Sequence, residues 1–401
     1  MVDSLIMKKT TIAFFMQHYL TPSMTFIFRQ LNLIKKKCDT IVLVSNKLEN
    51  VDLFPTENIE FKKRNFIKLK TSRLFNHFYS LNRLLSISPK LSNRQKSYFE
   101  RIIKNNNVDI IHAHFGPSGI EILPVAKRLK FPLIVSFHGY DASFLLEYEK
   151  YTQKLKDLFN YATVIVPTEY MLKKLSYLGL NSHNSRVIHY GIMLSDFEYK
   201  KIGFVREKFL RNDKIFFLQV SNFVEKKGHF FTLKAFKKLL EKYPNAHLTL
   251  AGDGILKNQI KKFCNELNLD NYVDFPGLVN QNEVKKLMKD ADIFVHHSVT
   301  AGNGDQEGVP NVLIEAMASG LPVISTYHAG IPELINDGVN GFLVKEKDID
   351  RYYQRMFDIL SKGDDFKLNA RRKIEELYNL EIEMNKLIEL YTSLTMKSSE
   401  I

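Results

Sequence analysis

The sequence predicts an α/β protein of two Rossmann-like, doubly wound domains facing a cleft. Three observations carry that prediction. At 401 residues the chain is too long for one small core and suits two domains of roughly 200 residues. Short apolar runs alternate with amphipathic stretches, the pattern of parallel strands buried on both faces between helices. The alternation breaks once, in a polar and charged passage from Ser195 to Asp213, and then starts afresh.

In the first half, TIAFFM is a strand, QHYLTPS a loop, 25–36 a helix and TIVLVS a second strand. IIHAHF, PLIVSFHG, ATVIVPT and RVIHYGI continue the series, with helices over 118–130, most of 142–161, and 169–178. In the second half KIFFLQVS, HLTLAGDG, YVDFPG, IFVHHS, PVIST and GFLV read as strands. Helices fall between them over 229–243, 255–268 and 282–290, and another opens at Pro310. A helical tail over 369–394 caps the second domain or crosses back to the first. The expected division is 1–195, a linker 196–212, a second domain 213–368, and the tail 369–401. Open parallel sheets bind ligands beyond the carboxyl ends of their strands, so the loops after the strands are expected to line the cleft.

Composition narrows the class. Apolar residues at 45% and charged residues at 25% describe an ordinary soluble globular protein. Cys38 and Cys264 fit no disulfide or zinc spacing, which suits a reducing cytoplasm. The N-terminal apolar run is too short for a bilayer span and lacks a small-residue cleavage site, so it reads as the first strand. The net charge of +13 is concentrated in 62–104, where twelve Lys/Arg face the single acid Glu100, a net +11. Phe66, Phe75, Phe78, Tyr79, Tyr98 and Phe99 are interleaved with these cations. Near anionic lipid each such cation contributes about 1 kcal/mol, and aromatics anchor at the headgroup level. The expectation is peripheral docking at the inner face of the cell membrane through Lys62, Lys63, Arg64, Lys68 and Arg73. The alternative is a solvated helical face whose aromatics are core. Nucleic acid is a third partner class, but no zinc-finger spacing, RNP-like motif or recognition helix accompanies the charge.

The stretch His296–Thr326 carries the clearest chemistry. A buried strand leads into a loop with Gly302, Gly304 and Gly308, then a helix, then a second strand. Proline suits a first helical turn, whose free N–H groups and dipole form a phosphate site. Leu313, Ala316, Met317 and Gly320 follow helical spacing and face the core, whereas Glu315 lies over Asn311 beside the loop. A carboxylate there accepts a pair of hydroxyls such as a ribose offers, and Glu307 can accept hydroxyls of a sugar beside the phosphates. Either glutamate could instead pair with a lysine or cap a backbone N–H.

EGVPNVLIEAMASGLPVI followed by GIPELINDGVNGFLV closely resembles the donor-binding segment of the GT-B retaining glycosyltransferases of family 4. Glu307 and Glu315 match the Glu-x7-Glu spacing of that family. VEKKGHFFTLKAF resembles its basic loop, LAGDG and VDFPG its next two strand ends, and VIHYGIMLSDF its hinge. IIHAHFG, SFHGYDAS and TPSMTFIFRQL resemble the branch that assembles exopolysaccharide and O-antigen repeat units. The resemblance implies that Glu315 holds the nucleotide ribose and Glu307 the transferred sugar. It implies that amides near Gly308, Val309, Asn311 and Val312 meet the donor phosphates, with Gly252 and Gly277 at neighbouring donor-side strand ends. Lys227 would neutralise the diphosphate leaving group, and His138 would stand close to the donor sugar, with Asp141 a further candidate.

Two departures stand out. Asn222 occupies the place of an arginine that usually makes a second diphosphate contact, so Lys226 or another cation substitutes, or the grip is weaker. Ser23-Met24-Thr25 replaces the usual Ser-Glu-Thr, and no catalytic role is assigned to that loop. His112 and His114 share one strand face and could bind a metal, although a structural role at the strand end fits as well. His296 and His297 alternate faces and do not converge, and Asp290-Ala-Asp292 lacks the glycine-rich context of a metal-binding Asp-x-Asp. No metal and no cofactor are expected. The resulting expectation is a cytoplasmic, membrane-associated transferase that moves a sugar, from a UDP-sugar donor, to a lipid-linked saccharide with retained configuration. A nucleotide-sugar epimerase of the same architecture, or a non-enzymatic basic protein binding membrane or nucleic acid, are the alternatives.

Overall fold

The computed structural model describes residues 9–21, 24–62, 90–197, 199, 205–362 and 364–399. Two compact units emerge, one formed by Met1–His189 with Glu381–Ile401, the other by Tyr190–Leu380. Each is built around one parallel sheet.

The first sheet holds β1 (Thr11–His18), β2 (Asp39–Lys47), β3 (Ile59–Phe61), β4 (Ile110–His114), β5 (Leu133–Ser136), β6 (Thr163–Val166) and β7 (Ser185–Val187). Their order is β3-β2-β1-β4-β5-β6-β7, every pair parallel. The first six residues of β1 are all buried, as an unbroken apolar run between two helical layers requires. The second sheet holds β8 (Ile215–Val220), β9 (Ala246–Ala251), β10 (Val273–Gly277), β11 (Ile293–Val295), β12 (Val323–Thr326) and β13 (Phe342–Val344). Its order is β10-β9-β8-β11-β12-β13, again all parallel. Alternation along the strands feeds two separate cores. Ile215, Phe217, Ile293 and Val295 join one apolar cluster, whereas Leu218, Val220 and Phe294 join the other. Both sheets reverse direction beside their first strand, between β1 and β4 and between β8 and β11, which is where doubly wound folds open a crevice.

Local differences from the sequence reading have local causes. The stretch 142–161 breaks into two short 3-10 turns, Tyr140–Ala142 and Phe144–Glu147, before the helix Glu149–Phe159. Pro310 is the N-cap, in an extended conformation, of a helix that runs Asn311–Ala318. Within the passage expected to link the domains lies a helix, Val205–Leu210, with Val205 buried. The tail forms two helices, Asp364–Leu377 and Leu380–Ser399. The latter belongs to the first unit, where buried Glu383 accepts the main-chain N–H of His189 at 2.8 Å.

In the basic window, Lys63, Arg64, Lys68 and Arg73 lie outside the described residues, as do Phe66, Phe75, Phe78 and Tyr79. Lys62 is exposed, its ammonium 5.2 Å from the centre of the Tyr98 ring. The helix Asn93–Asn105 buries Phe99 and Ile103 and exposes Arg94, Arg101 and Lys104. Among the described residues no helix is long and apolar enough to cross a membrane.

Candidate active site

In the second unit the loops after β8 and β11 leave the sheet side by side, because those strands are paired neighbours. The β8 loop closes in a 3-10 turn, Glu225–Lys227, that ends at Gly228 with φ +63°. A Cβ at Gly228 would lie 1.8 Å from the carbonyl oxygen of His297, so only glycine lets the two loops approach this closely. Val299 N–H then donates to Lys226 O at 2.9 Å, and Gly302 N–H donates to the Glu225 carboxylate at 3.0 Å.

This zippering brings four charges together. Lys227 Nζ sits 2.7 Å from Glu307 Oε1, the two side chains only 14% and 10% exposed. Lys226 Nζ pairs with Asp305 at 3.0 Å and approaches Gln306 O at 3.4 Å. Burial alone would push the Glu307 carboxyl up, but Lys227, Lys226 and His296 outweigh it and hold it at about 2. Glu307 is therefore ionised throughout the physiological range, an acceptor-only group suited to hydroxyls. Burial works against the Lys226 ammonium too, and Glu307 and Asp305 overcome it, so its pKa is raised. Lys226 is thus engaged by an acid of its own, and Asn222 is exposed at the start of the same loop.

Behind the loop, Gly308 and Val309 are buried, Val312 is half-buried, and the helix Asn311–Ala318 begins. Asn311 Oδ1 is buried with no hydrogen-bond partner among the described residues. Glu315, 3% exposed, accepts a hydrogen bond from Gln281 Nε2 at 3.2 Å. Gly252 and Gly277 stand at the ends of β9 and β10, joined by Gly252 N–H to Gly277 O at 2.8 Å. Asp292 does not take part: both its oxygens hold Lys208 Nζ, at 2.7 and 2.9 Å, and one accepts Phe216 N–H.

In the first unit, histidines gather where β4 and β5 end. His114 Nδ1 lies 3.0 Å from His138 Nε2, and the two rings stack at 5.3 Å. The rings of Phe26 and Phe115 flank His138 at 5.0 and 4.6 Å. Both nitrogens of His112 are taken, by Tyr391 Oη at 2.7 Å and Ser136 Oγ at 2.8 Å, so it has none left for a metal. Burial pushes all three imidazoles down, His114 to about 3, and each is neutral. Asp141 anchors the turn after β5. Its carboxylate accepts N–H groups of His138 and Gly139 through one oxygen, at 2.9 and 3.0 Å, and of Gly116 through the other at 2.9 Å. Burial outweighs those bonds and raises it to about 6. Among the described residues no group of three or more His, Cys, Asp or Glu could hold a metal ion.

Comparison with known proteins identifies the family. The family described as Glycosyl transferases group 1 matches residues 202–376, and Glycosyltransferase Family 4 matches 56–196. The amylovoran biosynthesis glycosyltransferase AmsK of Erwinia amylovora is 32% identical over 70% of this chain and 69% of its own. The chain belongs to the group 1, family 4 glycosyltransferases. The putative colanic acid biosynthesis glycosyltransferase WcaL of Escherichia coli is 29% identical over 71% of each chain. The crystal structure of Anabaena HepE in complex with UDP shares the fold, with a TM-score of 0.74 and 16% identity over 96% of this chain and all of that one. The GT-B class expected from the motifs is the class of such neighbours.

Some residues beside the candidate site were not singled out by motif. His328, after β12, accepts the Glu307 N–H through Nε2 at 3.0 Å and contacts Glu346 through Nδ1 at 2.6 Å. The rule that loops after parallel strands carry the site applies to β12 as it does to β8 and β11, and is the signal that points to His328. His296 is fully buried, and neither ring nitrogen has a hydrogen-bond partner among the described residues.

Proposed function

We propose that this glycosyltransferase moves a sugar, with retained anomeric configuration, from a UDP-sugar to a lipid-linked saccharide during assembly of a surface polysaccharide. The observation that carries the reading is the Lys227–Glu307 ion pair, set between two loops at the switch point of the sheet. An incoming diphosphate competes with Glu307 for Lys227. The lysine then neutralises charge that grows on the leaving group as the glycosidic bond breaks, which is electrostatic catalysis. The released carboxylate, ionised at neutral pH, accepts hydroxyls of the transferred sugar. The first turn of the helix Asn311–Ala318 offers main-chain N–H groups to the phosphates, and Glu315 receives the ribose hydroxyls. The neutral imidazole of His138 in the first unit is a further candidate hydrogen-bonding group. No metal is required, because lysine and helix N-terminus supply the positive charge.

The names of AmsK and WcaL support the polysaccharide role, and the UDP complex of HepE supports the uridine donor. Attachment to the inner membrane face through the basic window fits a lipid-linked acceptor. A thermal-stability panel of UDP-, GDP- and ADP-sugars tests the donor, because ligand bound only by the folded state raises the midpoint. UDP-sugars should shift it most; a shift confined to another base sinks the uridine assignment. The anomeric configuration of the product by NMR, with EDTA present, tests retention and metal independence together.

A further inference from the structure

The loop bearing Glu307 is fastened near both ends to one imidazole–carboxylate pair, buried His328 and half-buried Glu346, that the proposed reaction does not use. At the start of the loop, Thr300 donates its N–H to Glu346 Oε2 at 2.8 Å and its hydroxyl to Oε1 at 3.3 Å. Near its end, Glu307 donates its N–H to His328 Nε2 at 3.0 Å. His328 Nδ1 and Glu346 Oε1, 2.6 Å apart, close the circuit. An imidazole nitrogen that accepts from an amide carries no proton, so the proton of His328 is on Nδ1 and points at Glu346. The His328 side chain is wholly buried, so water does not replace it as acceptor. Two further bonds reinforce the tether: Gln306 Nε2 to Thr300 Oγ1 at 3.2 Å, and Gly330 N–H to Gly308 O at 3.2 Å.

We infer that His328 and Glu346 are positioning residues for Glu307. The Nδ1-protonated imidazole, oriented by Glu346, fixes the main chain of a loop rich in glycine so that the carboxylate stays against Lys227. This rests on the reading of Glu307 as the sugar contact. The loop has no regular structure between Thr300 and Pro310, and Gly302, Gly304 and Gly308 give it freedom that must be removed before a carboxylate can be aimed. Misplacement of a contacting group by about 1 Å costs on the order of 100-fold in rate. Glu315 and the first turn of its helix lie beyond the tether, so nucleotide affinity is expected to survive its loss.

The test uses full-length protein and four variants: His328→Ala, Glu346→Ala, Glu346→Gln and Glu307→Gln. Amide hydrogen exchange should quicken at least tenfold over 299–310 in both alanine variants of the tether, with β8 and β9 unchanged. Turnover of the nucleotide sugar selected by the stability panel should fall roughly 10–100-fold, with affinity for UDP within threefold of wild type. Glu346→Gln keeps an acceptor for His328 and should recover most of both losses, which a purely structural defect would not show. Unchanged exchange over 299–310, or equal acceleration across the sheet, overturns the inference. If the loop loosens as expected but Glu307→Gln transfers at the wild-type rate, the sugar-contact reading of Glu307 falls and the tether stands.

Discussion

The two units share a strand order through their sixth strand, yet the loops at their switch points hold opposite electrostatic environments. In the first, the buried imidazoles of His112 and His114 and the half-buried one of His138 stack in turn on one another and on phenylalanine, and desolvation keeps them neutral. In the second, Lys226, Lys227, Asp305 and Glu307 are partly buried and pair with opposite sign, Lys226 with Asp305 and Lys227 with Glu307. Desolvation acts on both sets; only close opposite charges overturn it. The topology determines where loops converge, and the side chains in those loops determine which chemistry can follow.

The sharpest way to break this contrast is Lys227→Ala. It strands the Glu307 carboxylate in a poorly hydrated place and removes the cation proposed to meet the leaving diphosphate. Transfer should fall on the order of 100- to 1,000-fold, read as kcat at saturating donor. A loss below tenfold would shift the burden to Lys226 or to the helix N-terminus. Next in size is Gly228→Ala. A methyl 1.8 Å from the His297 carbonyl forces apart the loops that bring the charges together. It should cost about 3 kcal/mol of stability, seen as a lower urea midpoint, with transfer lost alongside.

The pH dependence separates the two environments by sign. Glu307 is depressed from 4.5 to about 2, so its stabilising contribution is complete above pH 4.5 and is lost as pH falls through 2. Asp141 is raised from 3.8 to about 6, so its contribution is present below pH 3.8 and is lost as pH rises through 6. Urea midpoints followed from pH 3 to 7 should therefore show Asp141→Asn flattening a fall between pH 4 and 6, on the order of 3 kcal/mol. Glu307→Gln should instead flatten the acid side. An unchanged slope between pH 4 and 6 in Asp141→Asn would mean that its three backbone N–H bonds outweigh its burial.

The contrast also explains what sequence alone conveys. Unbroken apolar runs such as Ile12–Met16 report burial on both faces, so the two parallel sheets are legible residue by residue. The spacing of Glu307 and Glu315 within one loop and helix is local, and was legible for the same reason. Pairings between distant segments were not. Nothing in the order of residues says that Lys227 meets Glu307, that Lys226 is engaged by Asp305, or that Glu346 reaches His328. Those contacts depend on β8 lying beside β11, and β12 beside β13. Asp141 is a short-range case: its carboxylate accepts the N–H groups two and three residues before it.

The smallest effect is expected at Glu315, and it separates holding the donor from reacting with it. Glu315 is buried and accepts a hydrogen bond from the neutral amide of Gln281. In the proposed reading it contacts ribose hydroxyls, which do not change as the glycosidic bond breaks, so its contribution is the same in ground and transition states. Glu315→Ala should therefore weaken UDP binding roughly 10-fold, the loss of about 1.5 kcal/mol expected for hydrogen bonds to a charged acceptor. Turnover at saturating donor should change little, whereas Glu307→Ala should do the reverse. Titration calorimetry with UDP on both variants decides it. Equal affinity in wild type and Glu315→Ala removes the ribose assignment and leaves Glu315 as a structural partner of Gln281.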